Sequence, residues 1–139
     1  MARERLNFAL QFTALIEIHT MAIQRIECGR RMSQAVVCNG LVYTAGQVAP
    51  AEAKETSVAG QTRLVLAEID RLLAAAGTNK ANLISASIWL ANMDTFAEMN
   101  SVWDTWVTPG ATPARATVEA RLAGPEYLVE IAVIAAVGA

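Results

Sequence analysis

The stretch YLVEIAVIAAV, residues 127–137, constrains the fold more than any other part of the sequence. An aliphatic run of this kind, preceded by turn residues, is typical of a buried β-strand. It contains a single charged residue, Glu130. Because an unpaired carboxylate is costly to bury, such a group is normally paired, hydrogen-bonded or protonated. The rest of the fold must therefore place a partner, or a ligand, opposite Glu130.

Further strands are indicated by short β-rich segments between turn residues. AIQRIEC alternates in polarity, and AVVCNGLVYTAG contains two β-rich runs around Asn39-Gly40, which is a strong hairpin signal because both residues tolerate positive φ. NLISASIWLANM and ARATVEARL are two more strands, and Gly124-Pro125 forms the turn between ARATVEARL and the aliphatic run.

Two amphipathic helices are predicted from apolar residues at spacings of three and four. In the first, Ser57 is expected to be the N-cap and Gly77 the C-cap. The second begins near Thr95, which is expected to form a capping box with Glu98, and ends before Pro109. The residues at these spacings are Val58, Thr62, Val65, Leu66, Ile69, Leu72, Leu73 and Ala76 in the first helix, and Phe96, Met99, Val102, Trp103 and Trp106 in the second.

The resulting order, β-β-β-α-β-α-β-β, predicts an α+β fold in which both helices cover one face of a single sheet. Strand alternation directs Arg115, Thr117 and Glu119 to one face, and Ala116 and Val118 to the other. The sheet face that the helices leave uncovered is most easily buried by another subunit.

The chain of 139 residues shows no compositional break, so we expect one domain over residues 21–139. Residues 1–20 have a broken apolar pattern without a cleavage site, and we expect an N-terminal extension outside the core rather than a signal peptide. Hydrophobic residues make up 54% of the chain and charged residues 17%, a surplus that favours a subunit interface.

Charge and residue counts disfavour several function classes. The net charge of −2 argues against binding of nucleic acid, and the sequence gives no reason to expect a membrane partner. His19 is the only histidine, which disfavours a metal site, and no motif of a nucleotide or organic cofactor is present. Cys28 and Cys38 lack the spacing of a redox pair and are expected to be reduced, in a cytoplasmic protein.

Arg115 is the strongest candidate among the polar residues that remain. Its planar guanidinium can hold a carboxylate through two parallel hydrogen bonds, which suits a small acidic ligand. A structural ion pair with Glu119 or Glu130 is an equally good explanation. Counting along a hairpin around Gly124-Pro125 places Glu130 nearer to Glu119 than to Arg115.

The other candidates also have structural explanations. Glu130 could hold or deprotonate a water, but a buried glutamate is more often a satisfied structural group. Asn100 could orient a ligand or simply lie on the exposed side of its helix. Trp89, Trp103 and Trp106 are most simply core or interface residues.

Four segments, RRMSQAVV, LVYTAGQV, FAEMN and TPARATVEARL with the following YLVEIAVIAAV, closely resemble the YjgF/RidA family of enamine and imine deaminases. The similarity extends from about Met21 to Val137. It implies a chorismate-mutase-like fold and a homotrimer with sites in the clefts between subunits. It also implies hydrolysis of 2-aminoacrylate and related imines to a 2-keto acid and ammonia, without a metal or organic cofactor.

By this resemblance Arg115 binds the substrate carboxylate and Glu130 positions the hydrolytic water. Gly46 and Asn100 fall at further site positions. Three positions depart from the deaminating members: Met32 replaces a tyrosine, Ala45 a serine and Thr117 a cysteine. Met32 and Thr117 are therefore expected to be substrate-binding positions with altered chemistry. The alternative function is a non-catalytic module that binds a 2-keto acid through Arg115.

Overall fold

A computed structural model describes Arg5, Asn7 and residues 22–138 of the chain. Of the predicted extension, residues 1–20, only Arg5 and Asn7 are among the described residues. The strands are β1 Gln24–Cys28, β2 Ser33–Cys38, β3 Leu41–Thr44, β4 Leu83–Leu90, β5 Ala114–Glu119 and β6 Val129–Ala136, and the helices are α1 Val58–Ala75 and α2 Phe96–Trp106. Short 3-10 helices cover Ala51–Ala53, Lys80–Asn82 and Met93–Thr95. The predicted α+β order of strands and helices is confirmed.

The strands form one sheet in the order β1-β2-β3-β6-β4-β5. Neighbouring strands are antiparallel except for β4 and β5, which are parallel. The predicted hairpin of β5 and β6 around Gly124-Pro125 is therefore wrong. Because β4 lies between these two strands, hairpin counting could not give the position of Glu130 relative to Glu119.

The hairpin predicted at Asn39-Gly40 is confirmed. Both residues have positive φ, 54° and 76°, and Cys38 pairs with Leu41 on either side of the turn. Asparagine and glycine tolerate this left-handed backbone better than other residues, so the local sequence sets the register of β2 and β3.

The two helix starts differ from each other. At α1 the Ser57 hydroxyl accepts a hydrogen bond from the Gly60 amide at 2.9 Å, as predicted. At α2 the predicted capping box is wrong, because the Thr95 hydroxyl donates to the Asn92 carbonyl in the preceding 3-10 turn. Glu98 instead accepts a hydrogen bond from the Ala59 amide at 3.2 Å and so joins α2 to the first turn of α1.

Both helices pack on the same sheet face and bury it. In β6 the residues directed towards them are fully or almost fully buried: Val129, Ile131, Val133 and Ala135. On the opposite face Tyr43 and Val118 remain 44% and 51% exposed. In the part of the chain that the structure describes, no helix has the length and apolar character needed to cross a membrane.

Candidate functional site

Arg115 projects from β5 towards α2. It pairs with Ala86 of β4, a buried residue on the helix-covered face, so its side chain shares that face. Its Nη1 donates a hydrogen bond to Asn100 Oδ1 at 2.7 Å. The guanidinium carbon lies 5.1 Å from the ring centre of Trp103 and 5.8 Å from that of Phe96. Helix α2 therefore supplies a polar contact and two aromatic contacts to this cation.

Neither ion pair considered for Arg115 is present. Glu119, on the same face of β5, accepts a hydrogen bond from the Met93 amide at 2.9 Å, and Glu130 lies on the other face of the sheet. Within residues 22–138, the ion pairs join Arg71 to Glu27 and Glu68. Arg115 is thus a half-buried cation without a carboxylate partner among these residues.

Thr117 follows Arg115 on the same face of β5, opposite Ile88. Its hydroxyl oxygen is enclosed and has no hydrogen-bond partner in the described chain. A buried hydroxyl without a partner is uncommon and destabilising. Among the described residues, the Thr117 oxygen is the one buried side-chain polar atom without a hydrogen-bond partner. We call Phe96, Asn100, Trp103, Arg115 and Thr117 the arginine cluster.

Glu130 lies on the opposite face, where β6 pairs it with Trp89 of β4. Its carboxylate lies against Gly46, and a β-carbon at position 46 would collide with it. A side chain at position 46 would therefore displace the flexible end of Glu130. We call Glu130 and Gly46 the glutamate cluster.

The backbone at Gly46 contains a β-bulge. Tyr43 pairs with Ile134 and Gln47 with Ile131, so the β3 side has one residue more than the β6 side between these two pairs. The extra residue falls among positions 44–46.

The buried Gln47 anchors this bulge. It exchanges two backbone hydrogen bonds with Ile131, at 2.8 and 3.0 Å, and its side-chain amide donates to Gln34 Oε1 and to the Ala45 carbonyl. Gln47 was not predicted from the sequence to be part of a site. The available signal was a glutamine directly after a glycine at the end of an apolar strand.

Met32 lies in the tight connection of β1 and β2, where the Gly29 amide donates to the Met32 carbonyl at 2.8 Å. Its side chain is 46% exposed. It lines an open cleft of about 740 Å³ together with Arg30, Arg31 and Gln34. Its walls carry both charges, because Glu27 also lines it, and Arg115 is not among its lining residues.

The predicted site residues thus fall into separate places within one chain. The arginine cluster lies between the sheet and α2, and the glutamate cluster lies on the face away from the helices. A small ligand held by Arg115 cannot reach Glu130 of the same chain through the sheet. Phe96 and Trp103 were predicted only as core residues, although their spacing of four and three from Asn100 already placed all three on one side of α2.

Comparison with known proteins gives consistent results. The family model described as "Endoribonuclease L-PSP" matches residues 22–137. A "RutC family protein" of Haemophilus influenzae is 48% identical over 115 residues, which cover 83% of this chain and 98% of the relative. "RutC family protein YoaB" of Escherichia coli is 41% identical over 117 residues, covering 84% and 100%.

Solved structures agree in fold. A member of the YjgF protein family from Neisseria meningitidis has a TM-score of 0.83 at 47% identity and covers 87% of this chain and 99% of its own. A protein of unknown function of the conserved Rid protein family from Yersinia pestis has a TM-score of 0.77 at 32% identity, covering 84% and 100%.

Proposed function

We propose that this chain, which belongs to the YjgF/RutC family, hydrolyses small carboxylate-bearing imines or enamines to a 2-keto acid and ammonia. The observation that carries the proposal is the half-buried Arg115 guanidinium, which has a neutral hydrogen-bond partner and no carboxylate partner in the described chain. A cation in this state gains most from a ligand that brings the missing negative charge.

Hydrolysis of an imine requires few catalytic groups. An iminium carbon is already electrophilic, so a site must hold the acid, place a water and accept one proton. Arg115 would hold the carboxylate, and Glu130 would orient the water and take its proton. Hydroxide adds to the iminium carbon, and Glu130 returns the proton to the nitrogen of the carbinolamine. As the C–N bond breaks, the hydroxyl proton passes to Glu130 and then to the departing ammonia, which leaves the keto acid.

Assembly of a complete site then requires two copies of the chain. The two clusters lie on opposite faces, so the arginine cluster of one subunit must meet the glutamate cluster of another. Exposed Tyr43 and Val118 on the uncovered face support burial against a second copy. A homotrimer would close such contacts in a ring with equivalent sites.

The alternative is a module that binds a 2-keto acid without turnover. It is favoured by Met32 and Ala45, whose side chains offer no strong hydrogen bond where deaminating relatives carry hydroxyl groups. In that case a keto acid raises the melting temperature, but no ammonia is released from an imine generated by an amino-acid oxidase.

Action on RNA is a weaker interpretation, although the matching family model carries an endoribonuclease description. A net charge of −2 provides little attraction for a phosphate backbone. Salt-sensitive retention on immobilised RNA would support it nonetheless.

Mixed assemblies provide the sharpest test. Arg115→Ala and Glu130→Gln chains are each expected to be inactive alone. After unfolding together and refolding at equal amounts, about one quarter of the intersubunit sites should combine an intact Arg115 with an intact Glu130. Ammonia release should then recover to about that fraction of the parent value, whereas no recovery would contradict a site shared between subunits.

A further inference from the structure

Helix α2 presents three side chains to Arg115 from one of its faces. Phe96, Asn100 and Trp103 are separated by four and three positions, so they line up along the helix. The guanidinium lies within 6 Å of both ring centres and is hydrogen-bonded to the amide between them. These three residues pack against the cation, and we call Phe96, Asn100 and Trp103 the aromatic cradle.

The cradle restrains Arg115 without neutralising it. A cation over an aromatic face is attracted by the ring quadrupole, and Asn100 occupies Nη1 through a neutral acceptor. The remaining N–H groups of the guanidinium have no acceptor within the residues that the structure describes. Planar donors held in this way are ready to bind a carboxylate with little loss of side-chain entropy.

The cradle is itself fixed by the helix packing. Trp103 is 5% exposed and packs at 5.3 Å, centre to centre, against Trp106. The Trp106 indole in turn donates to Asp70 of α1 at 3.0 Å. The contacts continue from α1 through two indoles to Arg115, so the guanidinium is held by the α1–α2 interface.

We propose that Phe96, Asn100 and Trp103 are positioning residues that set the carboxylate affinity of the site through the orientation of Arg115. This inference rests on the proposed function. It assigns to two aromatic residues, which would otherwise be explained as core, a role in substrate binding. Their loss should raise KM and leave kcat for the bound substrate nearly unchanged, because they do not touch the reacting carbon.

Matched pairs of variants separate this role from simple packing. Phe96→Leu removes the ring and Phe96→Tyr keeps it, and the same contrast is made by Trp103→Leu and Trp103→Phe. Pyruvate, a small 2-keto acid, serves as the titrant in calorimetry. Each leucine variant should bind pyruvate about tenfold more weakly than its aromatic counterpart. Equal affinities within each pair would overturn the proposal.

Nitrogen-15 NMR of the Arg115 side chain tests the cradle without turnover. In the parent, the Nε–Hε group of Arg115 should be rigid, and the nearby rings should change its chemical shifts. In both leucine variants the group should become mobile. A rigid Arg115 in a protein that releases no ammonia would contradict the proposed hydrolysis but keep the cradle. A mobile Arg115 in an active parent would overturn the cradle alone.

Discussion

The arginine cluster and the glutamate cluster are built by different means. Arg115 is held by a hydrogen bond and two rings from a single packed helix, so its environment is largely complete within one chain. Glu130 is placed by a β-bulge and by the missing side chain of Gly46, on a sheet face that no described helix covers. Arg115 is thus positioned by side-chain packing, and Glu130 by backbone geometry.

Arg115→Ala should have the largest effect on activity and a small effect on stability. Loss of the carboxylate anchor should lower kcat/KM about 100- to 1,000-fold. Because Arg115 has no ion-pair partner within residues 22–138, its removal leaves no buried carboxylate uncompensated. We expect a cost of about 1–2 kcal/mol from the lost hydrogen bond and ring contacts. Steady-state kinetics and urea unfolding measure the two quantities.

Arg115→Lys is the matched control, since it keeps the charge but loses the planar fork. It should recover only a small part of the activity. A loss of about 3–5 kcal/mol on either substitution would indicate a buried ion pair after all.

Gly46→Ala should damage the glutamate cluster while the arginine cluster stays intact. The new β-carbon displaces the Glu130 carboxylate, whose side chain can move, so turnover should fall about 10- to 100-fold with little change in the melting temperature. Pyruvate affinity should stay within about twofold. In a Glu130→Ala background, Gly46→Ala should reduce turnover little further. A second reduction of about 10- to 100-fold would show that Gly46 acts independently of Glu130.

Gln61→Met should lower the stability of the protein, because Gln61 holds the segment that leads into β6 and the glutamate cluster. The buried amide of Gln61 donates to the carbonyls of Glu55 and Glu126 and accepts from the Leu128 amide, just before β6. Loss of these bonds should cost about 2–4 kcal/mol in urea unfolding. Arg63→Met, at an exposed position of the same helix, is the control and should be nearly neutral.

Glu68→Gln should have the smallest effect, far from both clusters. The hydrogen bond from Arg71 holds the pKa of Glu68 below its ordinary value of 4.5. Its contribution is therefore present above the unfolded pKa and is lost as the pH falls below about 4.5 through the folded pKa. Because the Glu68 side chain is 35% exposed, solvent screens the pair. We expect less than about 1 kcal/mol, seen as a weaker loss of melting temperature on acidification in the variant than in the parent. An equal loss in the two proteins would show that the pair contributes nothing.

Much of the fold could be predicted from local sequence. Asn39-Gly40 specified a hairpin because its backbone requirement is local, and Ser57 capped α1 for the same reason. The pairing of β6 with β3 and β4 could not be predicted, because Gly124-Pro125 marks a turn without showing which strand the chain meets next. The predicted Thr95–Glu98 capping box was wrong because Thr95 bonds to the Asn92 carbonyl and Glu98 to the Ala59 amide.

The candidate site could be predicted in composition but not in arrangement. Arg115 and Glu130 were identified from the sequence, and alternation correctly grouped Arg115 with Thr117 and Glu119. Their separation by the sheet depends on strand order, which no local pattern encodes. Trp103 is a core residue, as predicted, but its second contact, with the Arg115 cation, was not predicted, because an aromatic residue in a core stripe gives no sign that it also faces a cation.

The position of β6 in the middle of the sheet also has a consequence for folding kinetics. The Val133 amide donates to the Thr44 hydroxyl across 89 positions, and Leu41 pairs with Ala136. Contacts of such long range require a large loop to close before they stabilise the chain, which slows folding. Until β6 inserts, β3 and β4 expose unpaired apolar edges to other chains. Refolding yield should therefore fall as the protein concentration rises, even for variants whose native state is as stable as that of the parent.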